Sequence, residues 1–172
     1  MRTSIVLTVV SEDRPGIVEA ISETLAQHQG NWCESSMMSL AGQFAGILLV
    51  SVPDDQVESF LSGLDALQSR GMRIVAQRSA GDAVPEPRRQ VSLDLVGQDR
   101  PGIVHEITEV LARHRINVQE LETTVESASM SGESLFRARA RIFIPDDVRL
   151  EHIQDELEKL ANELMVDISL EE

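Results

Sequence analysis

Two identical hexapeptides carry the side chains with the clearest potential to bind a ligand: Asp13-Arg14-Pro15-Gly16-Ile17-Val18 and Asp99-Arg100-Pro101-Gly102-Ile103-Val104. Each follows a short run of β-branched residues and precedes apolar residues at helical spacing, so each is predicted to begin a helix. Proline suits the first helical turn, and the aspartate or arginine before it is then the expected N-cap. The free N–H groups of that turn and the helix dipole favour a negative group, such as a ligand carboxylate.

The hexapeptides equally suit a structural role, because Asp-x-Pro-Gly is a competent helix start in any protein. The arginines favour ligand or partner binding, since a long cation is not needed for capping and is unfavourable near a helix N-terminus. The glycines leave room for a ligand or another backbone to approach the turn. Both interpretations remain open from the sequence.

Asn31 and Asn117 form a second repeated pair, placed between the first helix and the second strand of each copy. One interpretation is structural, because asparagine tolerates a left-handed turn at a helix end. The other is functional, because an amide both donates to and accepts from the polar ends of an amino acid.

These residues belong to an internal repeat in which residues 4–34 align with residues 90–120, at a spacing of 99 − 13 = 86. Each copy predicts the order β-α-β-β-α-β. The predicted strands are 4–10, 32–40, 44–52 and 73–76 in the first copy, and 90–96, 118–127, 135–144 and 165–170 in the second. A hairpin joint is expected near 131–132, and the second helices are expected around 57–67 and 148–160.

This order predicts an α+β fold of two ferredoxin-like domains, each an antiparallel four-stranded sheet with both helices on one face. We expect the domains at 1–78 and 90–172, joined by a linker at 79–89 that contains the usual glycine and proline breakers. The third strand of the first copy is apolar on both sides, with Ile47 on one and Leu48 on the other. A small sheet of that kind usually has a partner.

Arg137, Arg139 and Arg141 alternate along a predicted strand, so all three cations face one side of it. They are either a solvated or internally paired face, or a contact surface for an acidic partner or a neighbouring sheet.

The composition disfavours several functions. A net charge of −14 repels phosphate backbones, and the absence of tyrosine leaves few platforms for stacking bases, so direct nucleic-acid binding is not expected. We predict no membrane span and no signal peptide.

The single cysteine, Cys33, allows no intramolecular disulfide and therefore favours a reducing compartment, the cytoplasm. We interpret it as a buried or half-buried strand residue. We predict no metal site, no cofactor and no catalytic residues.

The strand, the hexapeptide, the amphipathic helix and the following His-x-x-Asn junction together resemble the ACT domain family. The junction Arg113-His114-Arg115-Ile116-Asn117-Val118 is especially close to that pattern. The resemblance covers nearly the whole chain, and a tandem pair of this length with no further domain resembles the group of glycine cleavage system transcriptional repressors.

This resemblance implies a regulatory protein that binds a small amino acid, glycine above all, at an interface between ACT domains. It implies binding residues Asp13, Arg14, Pro15, Gly16, Ile17 and Asn31 in the first copy, and Asp99, Arg100, Pro101, Gly102, Ile103 and Asn117 in the second. It also implies a DNA-binding regulator protein as partner and a homo-oligomer, with a dimer favoured. Trp32 stands where the second copy has Val118, which puts the equivalence of the two sites in question. The alternatives are an accessory subunit of an amino-acid-metabolising enzyme, or an assembly scaffold that senses nothing.

Overall fold

The computed structural model describes residues 1–79, 88–127 and 134–171. The chain divides into two compact units, Met1–Ala83 and Val84–Glu172. The predicted hairpin joint near 131–132 and most of the predicted linker lie outside the described residues. The strand that opens the second unit begins at Arg88, inside the range predicted as linker.

The first domain contains β1 (Arg2–Glu12), α1 (Ile17–Gln27), β2 (Asn31–Leu40), β3 (Gln43–Pro53), α2 (Val57–Ala66) and β4 (Arg73–Arg78). Short 3-10 turns flank α2, at Asp54–Gln56 and Leu67–Arg70. The second domain contains β5 (Arg88–Gln98), α3 (Ile103–Arg113), β6 (Asn117–Ser127), β7 (Ser134–Pro145), α4 (Leu150–Leu164) and β8 (Val166–Glu171). The predicted βαββαβ order is confirmed in both copies.

Each sheet is antiparallel, with strand order β2-β3-β1-β4 in the first domain and β6-β7-β5-β8 in the second. The first and second strands of each copy run parallel with the third strand between them, which is the split βαβ arrangement. Met165, predicted to begin the last strand, instead has a left-handed backbone with φ 54° and lies in the turn before β8.

Each domain has its own core between its sheet and its two helices. In the first, the alternating residues Ile5, Leu7 and Val9 of β1 are fully buried against α1 and α2. In the second, Leu93 and Leu95 of β5 have the same role. Period-two burial on the sheet and a single buried stripe on each helix explain why both helices pack on one face.

We call the opposite side of each sheet its helix-free face. In the first domain this face exposes apolar side chains, among them Val10, Met38, Ile47 and Val75, which retain 39%, 59%, 53% and 58% of their accessible surface. In the second domain it carries a charged set: Asp94, Glu120, Glu122, Arg137, Arg139 and Arg141. The apolar third strand of the first copy is therefore exposed on one side, as its sequence indicated.

Within the described residues, no helix is both long enough and apolar enough to cross a membrane.

Candidate functional site

The hexapeptide loop begins where β1 ends and is tied to the neighbouring hairpin. The Asp13 N–H donates to the Gly42 carbonyl at 2.9 Å, and the Asp99 N–H donates to the Ser134 carbonyl at 2.8 Å. Both aspartates are exposed, as are Pro15 and Pro101. The loops are thus anchored through their backbone while these side chains stay accessible to solvent.

The N-cap residues are Gly16 and Gly102, so the expectation that Asp13 or Arg14 caps the helix is wrong. Both glycines have left-handed backbones, with φ 91° and 87°, a conformation that costs other residues free energy. Neither helix has a side-chain hydrogen bond to its N-cap. A Cβ added to Gly16 would meet nothing within 4 Å, so the space above the turn is open.

Ile17 and Ile103 begin the two helices, and both side chains lie in the domain cores with 3% exposure. At these positions only the backbone N–H faces the open end of the helix, where the first turn has no intrahelical acceptor. Their side chains therefore serve packing, whatever the backbone binds.

The two hexapeptide arginines have different partners. The Arg14 guanidinium donates to the carbonyl of Arg70, at the end of the 3-10 turn that follows α2. The Arg100 guanidinium pairs with Glu106 on α3 at 2.6 Å, and its Nε is buried without a hydrogen-bond partner among the described residues. The identical sequence thus gives two local arrangements, because residues outside the motif differ.

Asn31 and Asn117 are exposed and are the first residues of β2 and β6. The left-handed residues at the helix ends are instead Gln29 and Arg115, with φ 55° and 58°. The helix-end role proposed for the asparagines is therefore not theirs, and the functional interpretation of the exposed amides remains.

The register separates each asparagine from the hexapeptide of its own domain. Asn31 and Ser4 both pair with Ser51 on β3, whereas Asp13 follows the far end of β1. At about 3.3 Å per residue, the stretch of β1 from Ser4 to Asp13 spans roughly 30 Å. Asn117 and Asp99 are separated in the same way, because Asn117 and Gln90 both pair with Phe143. A small ligand cannot contact both elements of one domain.

Trp32 does not obstruct the Asn31 end. It pairs with the buried Val50, which places its ring on the helix side of the sheet, where it packs against the core. Its indole Nε1 donates to Ser35 Oγ at 3.0 Å. Cys33 lies at the shift in register between Trp32 and Glu34. Its side chain is exposed, so the prediction that it is buried or half-buried is wrong.

The Asn117 end of the second sheet contains an open pocket of about 600 Å³, lined by Arg88, Arg115, Asn117, Phe143, Pro145, Asp146 and Asp147. Arg115 and Asp147 form an ion pair. The sequence signalled Asn117 alone, because the other lining residues come together only through the strand register and the left-handed turn at Arg115.

The three arginines of β7 are paired within their own sheet. Arg137 lies 3.5 Å from Glu126, Arg139 lies 3.1 Å from Asp94, and Arg141 pairs with Glu120. The hydrogen bond and the charge of Asp94 raise the pKa of Arg139 above its ordinary value. This pairing agrees with the interpretation of an internally paired face, and the contact surface for a partner stays a prediction.

Among the described residues, no group of three His, Cys, Asp or Glu side chains is placed to hold a metal ion. The repeated histidines contact residues of their own domains: His28 makes an edge contact with the Phe60 ring, and His114 Nε2 lies 3.1 Å from Glu156 Oε1.

ACT domain models match residues 3–77 and residues 91–162. The glycine cleavage system transcriptional repressor of Escherichia coli is 22% identical over 161 residues, which cover 93% of this chain and 85% of the repressor. A UPF0237 protein of Methanopyrus kandleri is 42% identical over 55 residues, 32% of this chain and 61% of that protein's length, so this chain spans less than two thirds of it. The crystal structure of an unknown protein from Galdieria sulphuraria superposes with a TM-score of 0.89 at 34% identity, over 99% of this chain and 98% of that one.

Proposed function

The chain belongs to the ACT domain family, with two such domains in tandem, and from this membership and the site geometry we propose that it is a non-catalytic regulatory protein that binds an amino acid. The observation that carries the proposal is the duplicated pair of exposed elements, a helix N-terminus after Gly16 or Gly102 and an asparagine at Asn31 or Asn117. The first suits a carboxylate, and the second suits either polar end of an amino acid. The space above Gly16 is open, whereas Glu106 Oε1 lies 3.6 Å from a Cβ built on Gly102.

Since these elements lie at opposite ends of each sheet, a small ligand that uses both must take one of them from another ACT domain. The ligand would then stabilise the associated state over the separated one by its difference in affinity for the two. Asp13 to Ile17 with Asn31, and Asp99 to Ile103 with Asn117, are the residues proposed for this role.

The helix-free face of the first sheet supports assembly into a homo-oligomer, with a dimer favoured. Val10, Met38, Ile47 and Val75 keep between 39% and 59% of their surface exposed on it. Large apolar side chains exposed together on one sheet face are typical of an interaction surface.

The resemblance to a transcriptional repressor at 93% coverage of this chain makes control of glycine cleavage or related amino-acid metabolism the proposed biological role, with glycine as the first effector to test. The net charge of −14 disfavours direct contact with DNA. We therefore place a DNA-binding regulator protein between this chain and the operator.

Two measurements test the proposal. A thermal-shift panel of amino acids should raise the melting temperature for at least one member, because binding at a hundredfold excess over Kd stabilises the folded state by about 2.7 kcal/mol. Capture from native lysate, with and without glycine, should recover a DNA-binding regulator in amounts that depend on glycine. An Asn31→Ala/Asn117→Ala chain is the control. A complete panel with no shift in the wild type would exclude amino-acid sensing.

A further inference from the structure

The second domain has an apolar cavity between α3 and the edge strand β6, on the helix side of its sheet. Its floor is formed by buried side chains of the sheet and the helix, among them Leu95, Leu111 and Ala140. Val104 of α3 and Leu121 of β6 also line it, and they keep 38% and 45% of their surface exposed. The cavity therefore reaches from the domain core to the solvent between these two side chains.

The size of the cavity suits a single ring. The centre of a water-sized sphere can occupy about 30 Å³ of it. Widened by the ~1.4 Å radius of that sphere, a compact region of this size encloses roughly 150 Å³. An apolar cavity of about that volume stays free of water and can hold a benzene molecule.

The lining of the cavity is almost entirely apolar. Of the described residues around it, only Thr108 has a polar side chain, and its hydroxyl donates to the Val104 carbonyl at 2.8 Å. A hydroxyl or charged group of a ligand would lose its hydrogen bonds to water there with little replacement, which is unfavourable. The lining therefore matches a neutral hydrocarbon group.

The first domain has larger side chains at the equivalent positions. The strand register places Trp32 where the second domain has Val118, and Leu48 where it has Ala140. Smaller side chains leave space in a core and forfeit contacts there, and a ligand that fills the space restores those contacts.

The position of the Trp32 ring indicates what the cavity can hold. The ring packs against the core of the first domain, and its Nε1 donates to Ser35 Oγ at 3.0 Å. Ser35 is the equivalent of Leu121 in the strand register. The indole therefore lies across the two positions that, in the second domain, border the cavity. An aromatic group is thus compatible with this part of the fold.

We propose that the cavity between α3 and β6 is a binding site for a small, neutral aromatic hydrocarbon group, and that Trp32 occupies the equivalent space in the first domain. The cavity lies among core side chains and is separate from the exposed elements proposed for an amino acid, so the test of one site does not decide the other.

Calorimetric titration of the full chain with toluene tests the proposal, with phenol as a matched ligand in which a hydroxyl replaces the methyl group. We expect one equivalent of toluene to bind, at least tenfold more tightly than phenol, because the lining leaves the phenol hydroxyl poorly paired. Val118→Trp introduces the residue of the first domain and should weaken toluene binding at least tenfold. Leu40→Trp adds the same ring at a position of the first domain that is 71% exposed, and should bind toluene like the wild type.

A gain-of-function chain with Trp32→Val and Leu48→Ala should bind a second equivalent of toluene, because it introduces the smaller residues of the second domain at both positions. Circular dichroism establishes that each variant is folded. A second equivalent would support the site even if Val118→Trp fails to fold.

Absence of toluene binding by the wild-type chain, or unchanged affinity in folded Val118→Trp, would overturn the proposal. Equal affinities for toluene and phenol would overturn the preference for a hydrocarbon. Several weak equivalents that Val118→Trp leaves unchanged would assign toluene to exposed apolar surface, such as the helix-free face of the first sheet, and would also overturn it.

Discussion

The two domains share a fold and a binding motif, yet their helix-free faces have opposite chemistry. The first domain exposes Ile47 and Val75 there, whereas the second carries Asp94, Arg139 and Glu122 in one cross-strand row. Exposing an apolar face to water is unfavourable, whereas a face of paired charges is readily solvated. Duplication has therefore kept the core side of the sheet and allowed the other side to diverge toward different contacts.

The two domains also differ at the ends of the sheets where Asn31 and Asn117 lie. Arg2 lies over Ser51 and the Gln29 carbonyl in the first domain. In the second, Arg115 turns to Asp147, beside an open pocket. Both ends carry an asparagine, Asn31 or Asn117. What each end can bind therefore depends on the neighbouring residues, which differ.

Ile47→Glu is the strongest test of the difference between the two helix-free faces. If the apolar face is an interface between copies, a carboxylate there would be buried without a partner, which costs several kcal/mol. We expect self-association, measured by sedimentation velocity, to weaken by more than about tenfold. Thr124→Glu, which adds the same charge to the helix-free face of the second sheet, should leave it unchanged. An unaltered oligomer in folded Ile47→Glu chains would assign assembly to another surface.

Gly16→Ala and Gly102→Ala test whether both hexapeptides need a left-handed backbone at the N-cap to the same extent. Each should lower the free energy of unfolding by about 1–2 kcal/mol, because alanine is strained at positive φ. Asparagine tolerates this conformation better, so Gly→Asn variants should lose less. Urea unfolding gives both values. A loss confined to one domain would show that the other loop relaxes when substituted.

The asparagine ends are compared by Arg2→Ala and Arg115→Gln. Arg2→Ala removes bonds to carbonyl and hydroxyl oxygens and should cost about 1 kcal/mol at any ionic strength. Arg115→Gln removes an exposed ion pair and should cost less than about 1 kcal/mol, with the difference shrinking as salt rises. Thermal unfolding at low and high salt measures both. Equal salt dependence would show that long-range charge, rather than the local partner, governs each arginine.

Arg139→Gln should have the smallest effect. The side chain is exposed and paired with Asp94, so we expect a slight fall in melting temperature that disappears at high salt. The oligomer mass should stay that of the wild type. A change in mass would revive the alternative in which the arginines of β7 form a contact surface.

Most of the fold was predictable because its signals are local. Alternating burial of Ile5, Leu7 and Val9, and helical spacing of Ile17 and Ile21, are properties of short segments. The constant spacing between the two hexapeptides then extended the predicted elements of the first copy to the second. The N-cap was mispredicted because aspartate and glycine are both competent at that position, and the choice depends on the φ that the loop between β1 and α1 imposes.

The site was less predictable because it depends on long-range register. Asn31 and the hexapeptide are close in sequence but lie at opposite ends of one sheet, since α1 returns the chain across it. The placement of Trp32 could not be predicted for a related reason. Its size was visible in the sequence, but the side of the sheet that it occupies follows from its pairing with Val50.

The amino-acid sequence by itself determined the duplication, the βαββαβ order and the two motifs, because repeats and periodic patterns are carried by the chain without reference to its neighbours. Only the tertiary structure decided which side chains surround each motif. Arg14 and Arg100 have the same sequence context but different partners, and Asn117 lines a pocket whose wall comes from β5, β7 and the turn before β6. Binding chemistry depends on residues that are distant in sequence and adjacent in space, and that adjacency is fixed by strand register and packing.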